Sequence, residues 1–151
     1  MCGGAMISSR WVLSAAHCTR TLPAATSSIV VGSVSRSTGG DSYGINRIVN
    51  HVAFDTRTME NDISLIESAT NIVFSQSVQA INIGSGSVGT GVTTVIVGFG
   101  QTSTSGPLAD NLQWISAPSI TNTLCRSRFS VTNAARVRDE HLCTQSSTGQ
   151  G

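Results

Sequence analysis

Lysine is missing from this sequence altogether: every one of its basic residues is arginine, and the residues offer no functional account of that. Charge of either sign is scarce, at 11% of 151 residues, against roughly a quarter in ordinary globular chains. No basic cluster is longer than Arg126-Ser127-Arg128, and the formal net charge is +1. The positive stripe needed to track a phosphate backbone is therefore lacking, and no nucleic-acid partner is expected. No apolar run approaches the ~20 residues of a membrane span, so no membrane partner is expected either. Met1-Cys2-Gly3-Gly4 has neither the basic start nor the apolar stretch of a signal peptide. The chain then begins either as a mature product or inside a longer one. No C-x₂-C pair is present, which argues against zinc, and no metal or other cofactor is expected.

Ser, Thr, Gly and Asn fill the space that charge leaves, β-branched residues are frequent, and apolar content is 39%. That composition suits short strands joined by uncharged turns, in the manner of secreted all-β proteins. The length allows one domain with a sizeable core and is short for two full ones. Cys2, Cys18, Cys125 and Cys143 admit three full pairings, and four free buried thiols are the alternative. Pairing within each local set would close two modest loops, each bridge contributing about 3 kcal/mol on a chain-entropy account. Disulfides would imply an oxidising, extracellular compartment.

Along the chain, Ala5-Met6-Ile7 and Trp11-Val12-Leu13 read as a hairpin about Ser8-Ser9-Arg10. Its second strand delivers Ala15-Ala16-His17-Cys18 into a turn. Ile29 to Val34 reads as a strand with a bulge at Gly32. Tyr43 to Val49 reads as another, with Tyr43, Ile45 and Val49 on one face. A polar connection from His51 to Glu60 leads into a strand from Asn61 to Glu67, and Gln79 to Ile83 closes the first half. The glycine-punctuated stretch 84–91 is the candidate boundary. Val92 to Val97 and Leu112 to Pro118 follow as strands. Thr121 to Phe129 reads as one or two helical turns capped by Asn122 or Thr121. Leu142-Cys143-Thr144 starts a last strand. Eight or nine strands without a long amphipathic helix argue for a sandwich or barrel.

A general base works best with a pKa near the working pH, which makes histidine the natural candidate. Leu13-Ser14-Ala15-Ala16-His17-Cys18 resembles the general-base segment of the trypsin-like serine proteases at every position. Small residues there let the backbone pack behind the imidazole. Such an imidazole needs a buried carboxylate at its Nδ1–H, a mechanism long worked out for this family. Asn61-Asp62-Ile63-Ser64-Leu65-Ile66 resembles the family's aspartate motif. The resemblance continues through Cys2-Gly3-Gly4-Ala5-Met6-Ile7, through Val97-Gly98-Phe99-Gly100 (where the family usually has tryptophan at the Phe99 position), and through Leu112 to Ile120. It implies His17 as catalytic base, Asp62 as its orienter, and Cys2–Cys18 and Cys125–Cys143 as disulfides. The implied fold is all-β, the double Greek-key β-barrel of trypsin-like proteases, with the first barrel nearly complete and the second partial. The corresponding domains are 1–83, a linker 84–91, and 92–151.

The family's nucleophile sits in Gly-Asp-Ser-Gly-Gly, whose backbone N–H groups also build the oxyanion hole. No such run occurs in these residues. Ser146 and Ser147 lack the flanking glycines and are not assigned the role. The family's mature start, Ile-Val-Gly-Gly, and the strand after it are not found either. His51 borders a polar loop and His141 adjoins Asp139 and Glu140; neither is assigned catalysis. The resemblance thus implies part of a secreted endopeptidase acting on protein or peptide substrates, its serine carried by another segment or a second chain. The alternative is a non-catalytic homologue serving as a protein-binding module. P1 specificity is not legible.

Overall fold

The computed structural model describes residues 1–103 and 105–146. The chain gathers into two compact units: Met1–Ser33 with Thr38–Gly84, and Val34–Ser37 with Ser85–Gly151.

The first unit is built on a hairpin of β1 (Ala5–Met6) and β2 (Trp11–Ser14). The Ser8 hydroxyl shapes its turn by accepting the N–H groups of Arg10 and Trp11, at 3.2 and 3.1 Å. A helical turn, α1 (Ala16–Thr19), follows, then β3 (Ser28–Val31), β4 (Asp41–Asn50) and β5 (Ser64–Ser68). These strands form one antiparallel sheet in the order β1-β2-β5-β4-β3. Its core gathers Val12, Ile29, Ile66, Ile72 and Val78, with Met6, Val31, Tyr43, Ile45 and Ile48 packed against it. The outermost strands, β1 and β3, both line one cavity of about 340 Å³, so the sheet curls on itself without the two pairing.

Two sequence expectations change. The strand expected from Ile29 to Val34 stops at Val31, because Gly32 takes φ +73° and turns the chain instead of bulging a ladder. In β4 the register with β5 shifts between Ile45 and Arg47. An extra residue reverses the alternation beyond it. Ile48, not Val49, therefore packs on the core, and Val49 is exposed.

β5 buries alternate residues, and two of the three are serines: Ser64 and Ser68 are buried with hydroxyls that have no hydrogen-bond partner. On its other face Glu67 ties β5 to β4 and to the hairpin turn ahead of β2. Its carboxylate meets the Arg10 guanidinium at 3.2 Å and the Arg47 guanidinium at 2.6 Å, and Arg47 lies 5.3 Å from the Trp11 ring centre.

The second unit holds β6 (Thr93–Gly98), β7 (Gln113–Ile120) and β8 (Cys143–Thr144), paired antiparallel in that order. Between β7 and β8 lies α2 (Asn122–Arg126), whose cap is Thr121: its hydroxyl accepts the Leu124 N–H at 3.1 Å. A further turn, α3 (Val131–Ala134), has no counterpart in the sequence reading, since Val, Thr and Asn are weak helix formers. The short segment Val34–Ser37 joins this unit through Arg36 N–H to Asp110 C=O at 2.6 Å and Leu112 N–H to Val34 C=O at 2.8 Å.

Candidate active site

β2 ends at Ser14, and Ala15 remains extended before the chain enters α1. Ala16 is fully buried, so no larger side chain would fit where the turn packs. Thr19 fastens the far end of the turn: its hydroxyl donates to Asn50 Oδ1 at 2.6 Å, at the end of β4. His17 is thereby presented outward, with its side chain about half exposed at 52%.

Asp62 arrives from the segment leading into β5. Asn61 directly before it takes φ +56°, a left-handed conformation that asparagine tolerates, and its side-chain amide donates to Ala53 C=O at 3.0 Å. The backbone then re-enters the sheet, with His51 N–H bonded to Ile63 C=O at 3.0 Å.

The two residues meet twice. The His17 backbone N–H donates to Asp62 Oδ1 at 2.7 Å, and the ring Nδ1–H donates to Asp62 Oδ2 at 2.6 Å. A single carboxylate thus caps the start of α1, which has no side-chain cap of its own, and fixes the imidazole within it. Burial pushes the Asp62 carboxyl up, but the His17 N–H, the His17 ring and the Ala16 N–H outweigh it and hold it below its ordinary 3.8. With Nδ1 carrying the proton toward Asp62, Nε2 keeps its lone pair. That atom lies 3.3 Å from Cys18 Sγ.

Cys2 and Cys18 form one disulfide, and Cys125 and Cys143 the other. The first joins the segment ahead of β1 to the residue beside His17. Among the described residues, Cys2, His17 and Cys18 are the group whose ligand atoms lie within 4.8 Å of one another. With both sulfurs bonded to each other they offer no thiolate to a metal.

The other histidines are turn-builders. His51 Nδ1 accepts the Ala53 N–H at 3.2 Å, and His141 Nδ1 accepts the Arg138 N–H at 2.8 Å. Ser146 is described and half-buried, whereas Ser147 lies outside the described residues. The double use of the Asp62 carboxylate was not anticipated from sequence; the missing local cap at Ala15 was the available signal.

A histidine fixed this way by a carboxylate recurs in many proteins, so the pair by itself names no family. The family model described as Trypsin matches residues 1–151. This chain belongs to the trypsin family. Among its relatives, alkaline trypsin A of Manduca sexta is 30% identical over 145 residues, covering 95% of this chain and 56% of that protein. Achelase-1 of Lonomia achelous is 33% identical over 135 residues, covering 85% of this chain and 63% of the relative. The chain thus spans little more than half the length of these trypsin-family relatives. In three dimensions it is similar to the scabies mite inactivated protease paralogue S-D1, with a TM-score of 0.87 at 23% identity, covering 95% of this chain and 63% of that one. The fold is the all-β trypsin fold. Trypsin-like proteases act on protein or peptide substrates, and no described helix is long and apolar enough to cross a membrane.

Proposed function

We propose that this chain carries the base and its orienter for peptide-bond hydrolysis by a Ser-His-Asp triad, with the serine on a segment outside residues 1–151. His17 Nε2 would take the proton of the attacking hydroxyl and return it to the leaving amine. Asp62 would hold the tautomer and stabilise the imidazolium. The observation that carries this reading is the double contact of one carboxylate with the His17 backbone and ring. Residues 1–83 are read as the first barrel, 84–91 as the linker and 92–151 as part of the second. The two disulfides favour secretion into an extracellular, oxidising space.

The second reading is a non-catalytic homologue that binds proteins. It is favoured by a structural neighbour described as an inactivated paralogue. Retention of a geometrically sound His17–Asp62 pair weighs against it. Residues 1–151 alone should neither turn over ester and peptide substrates nor be labelled by a serine-directed phosphonate. Labelling would overturn the absence of a nucleophile. In a longer product that contains Gly-Asp-Ser-Gly-Gly, Asp62→Asn should lower kcat by about 10⁴-fold, a magnitude carried over from the family. An inert longer product would favour the binding reading.

A further inference from the structure

We propose that Thr19 and Asn50 are positioning residues for His17: the hydrogen bond between their side chains sets α1 against the strands that carry Asp62. The proposal rests on the reading of His17 as a base and Asp62 as its orienter. α1 is a single turn, Ala16–Thr19, without a side-chain cap of its own. A helix that short has no stability apart from what surrounds it. Its entry is fixed by the sheet, because Ser14, the last residue of β2, pairs with Ser64 of β5. Its exit is fixed by one hydroxyl. Thr19 is 3% exposed, and its Oγ1–H donates to Asn50 Oδ1 at 2.6 Å, with the Ala15 C=O a longer second acceptor at 3.3 Å.

Asn50 closes the arrangement. It is the last residue of β4 and pairs with the same Ser64, so Ser14, Ser64 and Asn50 form one rung across three strands. Asp62 stands two residues ahead of Ser64, and Ile63 between them accepts the His51 N–H at 3.0 Å. A circuit results. It runs from His17 to Thr19 along α1, to Asn50 through the hydroxyl, across the ladder to Ser64 and back to Asp62. Asp62 completes it by accepting the His17 N–H at 2.7 Å and the ring Nδ1–H at 2.6 Å. A turn that pivoted about Ser14 would carry the His17 backbone and ring together away from a carboxylate held by β5. Rotation of the imidazole could recover the ring contact but not the backbone one. The Cys2–Cys18 disulfide is no substitute, since it ties the turn to the segment ahead of β1 rather than to β4 or β5.

The test follows two protons in isotope-labelled residues 1–151 by their exchange with solvent: the His17 backbone N–H and its ring Nδ1–H. Thr19→Val removes the donor at nearly constant volume, and Thr19→Ser keeps it. In Thr19→Val both protons should exchange at least about 5-fold faster, while the amides of the β2–β5 ladder keep their protection. Thr19→Ser should restore the parent rates. Asn50→Ala should reproduce the effect, and the double variant should add nothing to it, because both changes break one bond. Unchanged His17 exchange in Thr19→Val, a rise shared by the whole β2–β5 ladder, or no rescue by Thr19→Ser would overturn the proposal. Asn50→Ala leaves the buried threonine in place and carries the same comparison should Thr19→Val not fold. In a longer product that contains Gly-Asp-Ser-Gly-Gly, Thr19→Val should lower kcat by up to about 10²-fold at unchanged KM. A raised KM at unchanged kcat would count against positioning. Exchange is measured without hydrolysis, so an inert longer product would tell against the base reading alone, and the exchange rates would still decide the role of Thr19 and Asn50.

Discussion

The Asp62 carboxylate accepts hydrogen bonds from the backbone and the ring of the same residue, and its titration registers both. Asp62 is held below its ordinary 3.8, and Glu67, through the Arg47 and Asn46 side chains, below its ordinary 4.5. In acid, the unfolded chain therefore binds protons that the folded chain still refuses. The stabilisation is complete above those ordinary values and is lost as pH falls through the depressed ones. Denaturant midpoints measured from pH 6 to pH 2 should fall over that acid window, and Asp62→Asn should flatten the fall. Ser68 gives a prediction of opposite sign. Its hydroxyl is buried without a partner, so Ser68→Ala should stabilise the chain by about 1 kcal/mol, read from urea unfolding. The sequence made His17 and Asp62 visible as motifs because the family's pattern is local around each. It named no partner for the start of α1, since that cap arrives from a distant segment and only the missing local cap at Ala15 hints at it.

At the level of strands and turns, β-branched runs and turn residues located the elements well and their detailed alternation less well. Strict period-two reading put Val49 on the core face. One extra residue between Ile45 and Arg47 hands that place to Ile48, and nothing in Ile45-Asn46-Arg47 announces a bulge. Gly39 and Gly40 before β4 both take positive φ, at +76° and +78°. They differ in what a side chain would meet. A Cβ at Gly40 would sit 2.6 Å from Val31 O and 2.9 Å from Val30 Cγ1, whereas one at Gly39 would only graze Ser33 Oγ at 3.4 Å. Gly39→Ala should cost about 1 kcal/mol, the strain of the conformation alone. Gly40→Ala should cost about 2–3 kcal/mol, clash added to strain. Equal losses of thermal stability in the two variants would show that the Val31 contact relaxes freely.

At the scale of the whole molecule, the second unit carries an exposed apolar face beside a sheet edge. On β6 and β7 the cross-strand neighbours Val97 and Trp114 are 61% and 68% exposed, and Val95 on the same face is 62% exposed. Among the described residues β6 pairs with β7 alone, leaving a β-branched strand at the sheet's edge. Apolar faces beside open edges associate. Residues 1–151 alone should sediment as concentration-dependent oligomers, and Val97→Lys should shift them toward monomer.

Val34–Ser37 is hydrogen-bonded to the stretch Ala109–Leu112, yet its flanking residues on both sides belong to the first unit. The backbone is thus stitched through the second unit once before it enters for good at Ser85. A protease that nicked the glycine-punctuated stretch 84–91 would break a covalent link without releasing either product. The amino-terminal piece would still hold its four-residue stitch against Ala109–Leu112 of the other. The nicked protein should elute as one species in native buffer and as two in denaturant.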